Sequence, residues 1–497
     1  MHREARDVPA GAVLEAEICV VGAGPAGLTL AVELSRAGRQ VLVLESGGLA
    51  YDAAAQQLNH GRVVGGPYAD LRGCRHRRVG GTAHLWNTML DGTSGWAKLV
   101  PLDARDLDAR PDAWPVGSRA LLPYYRRAHR LCGLDSHDWD PIAGGDGDRA
   151  LPSLGDGLEP RLYRFAHATP WVRDHPRELL ASATALLLTG ATATRLETDQ
   201  DGARVREMRV ATAAGLATVR ARHVVLAAGA IENARLLLAS GEHDRTPGNA
   251  AGLVGVGFME HPRDLACRLA SVDARTERSL AFLDARRTPD GTIVCGRIAP
   301  SDATLERERL PAFSVTLLPI RDGSVRERVV HRLLGRPIAP TGYGWTAQRP
   351  AWRRDTAFRA IVNLEQRAHA ENRVTLGREC DRHGVPLPEL HWRWRDEEQQ
   401  ELERIRALLR DRFAAASLGR LHWSPGSPPD PNAHHHAGTT RMHADPRCGV
   451  VDADGRVHGM ENLWITGASV FPRAGFANPT LSIVALAIRL ADRLALA

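Results

Sequence analysis

Residues 16–46, AEICVVGAGPAGLTLAVELSRAGRQVLVLES, run from an apolar strand through a glycine turn into a helix with apolar spacing, and on into a second apolar strand ending at Glu45. This is one βαβ unit, and it commits the surrounding chain to a Rossmann-like α/β sheet with helices on its faces. Gly22, Gly24 and Gly27 form the G-x-G-x-x-G pattern, in which the missing side chains allow the tight turn, the close approach of a pyrophosphate and the packing of helix on strand, respectively. The pyrophosphate would face the helix N-terminus, where free backbone N–H groups favour an anion. Glu45 follows Gly27 by 18 residues, where a carboxylate accepts hydrogen bonds from ribose hydroxyls and repels a 2′-phosphate. A glycine triplet in an alanine- and glycine-rich chain is an ordinary turn about one time in three; the flanking strands and Glu45 make this one a nucleotide signal. It fits FAD or NAD and excludes NADP, and the fold alone does not choose between the first two.

A chain of 497 residues is too long for a single core, so two or three folding units sharing one site are expected. With 43% apolar and 25% charged residues the composition is that of an ordinary globular protein, and no apolar run approaches the roughly 18 residues of a membrane span. No integral membrane association is expected. The opening residues MHREARDVPAGAV lack the apolar stretch of a secretory signal, which gives a cytoplasmic expectation. Seven scattered cysteines without a C-x-x-C pair argue against a disulfide framework, a zinc site and the dithiol of a flavin disulfide reductase. A formal charge of +6, with the basic residues spread among acids, does not indicate nucleic acid.

Two further segments carry small residues where backbone would approach a cofactor: RGCRHRRVGGTAHLWNTML at 72–90 and VVLAAGAIENARLLLAS from Val224. Read alone, either is equally well a loop of an α/β domain. The stretch from His434, HHHAGTTRMHADPRCGVVDADGRVHGMENLWITGASVFPRAGFANPTLSIVALAIRLADRLA, decides between these. It resembles the C-terminal signature of the glucose/methanol/choline (GMC) FAD-dependent oxidoreductases. The ordered set of the N-terminal fingerprint, RRVGGTAHLW, VVLAAGAIENARLLL, GLVGVGFMEHP from Gly252, NRVTL from Asn372 and this block extends the resemblance along nearly the whole chain. The C-terminal block looks most like the bacterial sugar-oxidising members and the pyranose oxidase branch, with Asn478 where other members carry a second histidine.

The resemblance implies a fold of class α/β plus α+β: a discontinuous Rossmann-like FAD-binding domain (1–100, 190–262 and 433–497) with an inserted substrate domain (101–189 and 263–432) built on an antiparallel sheet. It implies FAD contacts from Gly22, Gly24, Gly27, Glu45, Arg78, Gly80, Gly81, Thr82, His84, Trp86, Asn87, Ala228, Gly229, Gly467, Ala468, Pro479 and Thr480. Some pyranose oxidase-like members attach the flavin covalently through a histidine directly before the tryptophan of the G-G segment; here that position is Leu85, with His84 one residue earlier, so non-covalent FAD is expected. Asn87 falls near the flavin N5 and C4a edge. Gly467 stands where many relatives carry aspartate, and its backbone is expected against the ribityl or pyrophosphate.

Oxidising an alcohol carbon requires a base within reach of the hydroxyl proton, and histidine suits neutral pH. The family motif H-x-x-G-T, read back from Gly438 and Thr439, implies His435 as that base and Asn478 as the residue holding the hydroxyl oxygen. The three consecutive histidines raise a metal reading, but consecutive side chains diverge on a helix or strand, so no metal is expected. The implied partners are a small-molecule alcohol on a sugar, glycoside, polyol or aminosugar, including an aminoglycoside in its biosynthesis, and O2 or another electron acceptor. The alternatives are a non-redox lyase that keeps FAD on the same fold, and a flavin-binding scaffold without turnover.

Overall fold

Strand Val41–Glu45 is buried along its whole length, as the apolar run VLVLE requires of a parallel strand covered on both faces. It lies within a sheet ordered His2–Glu4, Ala185–Thr189, Val41–Glu45, Val13–Val21 and Gly215–Leu226, all parallel, continued by Val205–Thr212 and Thr192–Thr198 in antiparallel pairing. Leu463–Ile465 adds a parallel strand beside Gly215–Leu226. The βαβ helix, Pro25–Arg36, begins with proline at its first position behind Gly24, where a missing N–H costs nothing and the fixed φ favours the helix. It packs against the C-terminal helix Thr480–Ala495, and the two share an apolar core with the sheet. The computed structural model describes residues 1–90, 92–108, 114–134, 154–155, 157–241, 246–270, 272–320, 342–347, 355–424 and 426–497.

The second large sheet is antiparallel throughout, in the order Arg420–Trp423, Arg263–Ala270, Phe358–Leu364, Phe313–Pro319, Ile293–Pro300, Leu158–His167, Thr93–Leu99 and Thr88–Leu90, with Ala285–Arg287 pairing onto Ile293–Pro300. It has its own core, to which helix Asp396–Ala415 contributes Leu402, Ile405, Leu409 and Phe413. Their spacing of three and four residues puts them on one helical face. The buried pair Arg406–Asp264, 2.8 Å apart, ties that helix to strand Arg263–Ala270.

Strand pairing divides the chain differently from the expected boundaries at 100/101 and 189/190. Thr88–Leu90 and Thr93–Leu99 belong to the antiparallel sheet, and Ala185–Thr189 to the parallel one. Arg373–Cys380 and Pro386–Trp392, inside the stretch assigned to the substrate domain, form a small sheet with Arg62–Gly65, and Val374, Leu390 and Trp392 join the core that holds Leu42 and Leu226 of the parallel sheet. The physical cause is that the two hairpins, Thr88–Leu90 with Thr93–Leu99 and Arg373–Cys380 with Pro386–Trp392, are each assigned to a sheet by one pairing remote in sequence, with Leu158–His167 and Arg62–Gly65 respectively, as Ala185–Thr189 is by Val41–Glu45; a remote pairing leaves no local signal. Residues 109–113 and 135–153, both within the expected substrate domain, lie outside the described residues. Among the described residues no helix is long and apolar enough to cross a membrane.

Candidate active site

Both sheets contribute walls to a cavity of about 620 Å³, within the size range of small-molecule and cofactor sites. From the parallel sheet come Gly22, Gly24, Glu45, Ala228 and Gly229; from the antiparallel sheet Trp96, Lys98, Tyr163, Leu318, Ile361 and Asn363. Gly467, Ala468, Asn478, Pro479 and Thr480 line it from the C-terminal segment, as do Gly81, Thr82, Trp86 and Asn87 from the second glycine segment. Residues scattered over more than 450 positions in sequence are thereby brought to one space.

Four expected cofactor residues do not line this cavity. A Cβ on Gly27 would stand 1.9 Å from the Gly22 carbonyl oxygen, so this glycine serves the packing of helix on turn. His84 Nε2 lies 2.9 Å from the Val79 carbonyl oxygen, which turns the ring back onto its own loop, and Leu85 takes the place on the wall. Gly80 has φ +94° and a Cβ there would meet His84 Nε2 at 2.8 Å; it shapes that loop. Arg78 has its Nε buried without a partner and likewise lies off the wall.

The walls fit a dinucleotide. Gly24 and Gly81 approach so closely that a Cβ on Gly81 would stand 2.9 Å from the Gly24 Cα, so bare backbone faces the cavity from both segments. The N-cap Gly24 supplies no side-chain oxygen to the first helical turn, leaving N–H groups for an anion. Glu45 is buried, and its two carboxylate oxygens accept from the backbone N–H groups of Ala23 and Gly47, both at 2.9 Å. A carboxylate has about four acceptor sites, so capacity remains for ribose hydroxyls.

His435 is partly buried on the cavity wall. Its Nδ1 lies 3.0 Å from His261 Nδ1, and His261 Nε2 lies 3.1 Å from the Ala474 carbonyl oxygen. Burial holds His435 well below the ordinary histidine range, with further lowering from His261 and Arg263, and burial brings His261 down to about 4. Both rings are therefore neutral at pH 7. A carbonyl oxygen only accepts, so His261 carries its proton on Nε2 and presents a bare Nδ1. His435 must then donate from Nδ1, which leaves its Nε2 as an unprotonated acceptor. Glu260, beside this pair, accepts from Tyr68 Oη at 2.5 Å and from the backbone N–H groups of His435 and His261 at 3.0 Å; burial raises it to about 7.

The sequence reading missed His261, Glu260 and Tyr68. His261 and Glu260 stand in GFMEHP, adjacent ionisable residues in an apolar stretch, which is a weak signal for a buried polar pair. It also missed Glu232 on helix Gly229–Ala239, which lies 2.6 Å from both Arg75 and Arg77 and 3.3 Å from Arg235. Burial opposes ionisation there, but the arginines hold this carboxyl well below the usual range. Consecutive side chains diverge, but side chains two residues apart need not. His434, with φ +60°, and His436 share a side with Cys74, and one possible donor atom from each lies within 4.8 Å of the others. The Cys74 thiol is pushed up to about 11 by burial.

Residues 368–487 match the GMC oxidoreductase family and residues 15–60 an FAD binding domain. Among proteins of known activity, the chain is 28% identical to paromamine 6'-oxidase of Streptomyces fradiae, over 96% of this chain and 91% of that one. It is 26% identical to 6'''-hydroxyparomomycin C oxidase of Streptomyces lividus, over 95% and 90%. Among solved structures it shares the fold of pyridoxine 4-oxidase from Mesorbium loti, with a TM-score of 0.57, 19% identity and coverage of 96% and 99%. The glycine-lined nucleotide cleft, the C-terminal match and these full-length likenesses agree: the chain carries a GMC oxidoreductase C-terminal domain over residues 368–487 and is an FAD-dependent enzyme that acts on CH–OH groups.

Proposed function

We propose that the protein oxidises a hydroxyl-bearing carbon of a sugar, glycoside, polyol or aminosugar, with His435 Nε2 taking the hydroxyl proton and Asn478 holding the hydroxyl oxygen. The observation that carries this reading is the His435–His261–Ala474 chain, because it leaves an unprotonated nitrogen on the cavity wall. Bound FAD supplies the acceptor for the hydride that leaves the alcohol carbon. Gly22, Gly24, Gly81 and the first turn of Pro25–Arg36 would hold its pyrophosphate and Glu45 its ribose. Ala228, Gly229, Gly467 and Ala468 would bring backbone to its other edge, and Thr82, Trp86, Asn87, Pro479 and Thr480 would flank the flavin. Gly27, Arg78, Gly80 and His84 act through the loops they shape. The backbone of Leu99 pairs with that of Asn478, which joins the antiparallel sheet to the C-terminal segment and fixes the main chain that carries the Asn478 amide. The names of the two full-length relatives support a hydroxyl on a sugar-like ring.

The test is anaerobic titration of the yellow holoenzyme with sugars, polyols and aminoglycosides, followed by readmission of air. Bleaching by an alcohol is expected; rapid recovery in air marks an oxidase and slow recovery a dehydrogenase with another acceptor. His435→Ala should bind FAD yet lose bleaching. No bleaching of the wild type by any alcohol would put the lyase or scaffold alternative first.

A further inference from the structure

Lys98, the chain's only lysine, stands on the sheet face that walls the cavity. Strand alternation explains its direction: Leu99 is fully buried on one face, so Lys98 and Trp96 project from the other. Its ammonium lies 5.0 Å above the Tyr163 ring and 5.4 Å above the Tyr343 ring and donates to Tyr343 Oη at 3.0 Å. Among the described residues no carboxylate pairs with it. An ammonium has three donors, so two N–H groups remain for a ligand.

The rest of this wall has the same sense. Arg263 and Asn363 face each other across neighbouring strands, and Arg263 Nε and Asn363 Nδ2 are buried without partners. Arg263 is already paired with Asp430, 2.5 Å away, and Arg75 and Arg77 with Glu232, so that among the described residues on this wall Lys98 is the positive charge with no carboxylate partner. The carboxylates that line the cavity among the described residues are Glu45, held by backbone amides, and Glu232, held by three arginines. Neither is free to meet an amine. Leu99 pairs with Asn478, so Lys98 is one strand residue from the register of the proposed hydroxyl holder.

We propose that Lys98 forms an anion-binding subsite, so that the alcohol this enzyme prefers carries a carboxylate on the same sugar or polyol framework instead of the ammonium groups of a polyamine. The inference rests on the proposed oxidation of a sugar-like alcohol and narrows its substrate class. Two tyrosine rings hold the ammonium in place, so ligand binding requires little further ordering.

The test uses the holoenzyme with D-glucuronate, D-glucose and paromamine as probes, reading binding from the perturbation of the bound flavin spectrum and turnover from anaerobic bleaching. D-glucuronate should bind roughly 10- to 100-fold more tightly than D-glucose, the span of a charge-assisted hydrogen bond, and paromamine more weakly than either. Lys98→Met should erase the difference by weakening D-glucuronate alone, Lys98→Arg should restore most of it, and salt should raise the D-glucuronate Kd. Equal binding of D-glucuronate and D-glucose, preference for paromamine, binding of none of the probes, or an unchanged preference in Lys98→Met overturns the subsite. If neutral alcohols bleach the flavin while charge makes no difference, the subsite alone fails; if no alcohol bleaches it, the oxidation reading fails as well. Flavin content and circular dichroism of Lys98→Met separate a binding effect from misfolding, and the wild-type ranking stands as a test by itself.

Discussion

Replacing His261 by alanine should slow flavin reduction without displacing FAD, because His261 does not line up as a base but sets the tautomer of one. In the folded protein a neutral hydrogen bond of 3.0 Å holds the His435 proton on Nδ1. Such a bond contributes about 0.5–1.5 kcal/mol, equivalent to a roughly 2- to 13-fold bias between the two tautomers. Without it His435 divides its proton between Nδ1 and Nε2, and the fraction with a bare Nε2 falls accordingly. The assay is stopped-flow anaerobic reduction at saturating alcohol, which reports the chemical step apart from re-oxidation. With the proton shared evenly, the fraction with a bare Nε2 falls from about 0.7–0.93 to about one half, so the limiting rate should drop by up to about twofold, with little change in alcohol affinity. His261→Gln is the conservative control, since its amide nitrogen can donate to the Ala474 carbonyl while its oxygen accepts from His435 Nδ1; it should keep more of the rate than His261→Ala. A limiting rate of His261→Ala within experimental error of the wild type, alongside an inactive His435→Ala, would refute the tautomer assignment. The Ala474 carbonyl loses its donor in His261→Ala, so that variant should also be less stable, by about 1–3 kcal/mol.

Gly81→Ala should lose FAD, since the residue has φ +52° and the new Cβ would sit 2.9 Å from the Gly24 Cα; the ratio of flavin to protein absorbance after purification measures this. Glu232→Gln strands Arg75 and Arg77 beside a neutral amide, while Arg235 keeps Asp381 at 2.7 Å; it should cost about 3–5 kcal/mol, read as a fall in the unfolding midpoint. The pH profile has two opposing parts. His261 falls to about 4 on folding while Glu260 rises to about 7. Between pH 4.5 and 6.5, from the ordinary values, the unfolded chain holds the extra proton at His261 and the folded chain holds it at Glu260, so the two contributions to the slope cancel. His435 and His436 are also depressed by burial, and each adds up to about 1.4 kcal/mol of lost stability per pH unit below about 6.5. Stability should therefore fall on acidification, and more steeply in Glu260→Gln, where the opposing group is gone. Flavin reduction by the wild type should show no loss across the ordinary histidine range, because burial keeps His435 neutral there.

The βαβ unit was legible from residues 16–46 because its determinants are local: apolar runs of strand length, a helix period, three glycines at fixed spacing and a carboxylate at the end of the second strand. The C-terminal block was legible for a related reason, since His435, Gly438, Thr439 and Asn478 sit in a recognisable order along the chain. Fold class and cofactor follow from that much, and so does the choice of His435 as the proposed base. Tertiary structure decided what depends on partners far apart in sequence. His261 meets His435 across 174 positions, and only that contact determines which ring nitrogen is free. Lys98 and Tyr343 meet across 245 positions, and nothing in GTSGWAKL announces that its one lysine will stand over two tyrosine rings facing the cavity. Strand pairing moved Thr88–Leu90 and Thr93–Leu99 into the antiparallel sheet, which is what carries Lys98 to that wall. Local sequence carries the periodicity and backbone freedom that select an element; protonation state and charge at a site depend on which distant side chains and carbonyls share its low-dielectric surroundings, and these exist only once the two sheets have closed around the cavity.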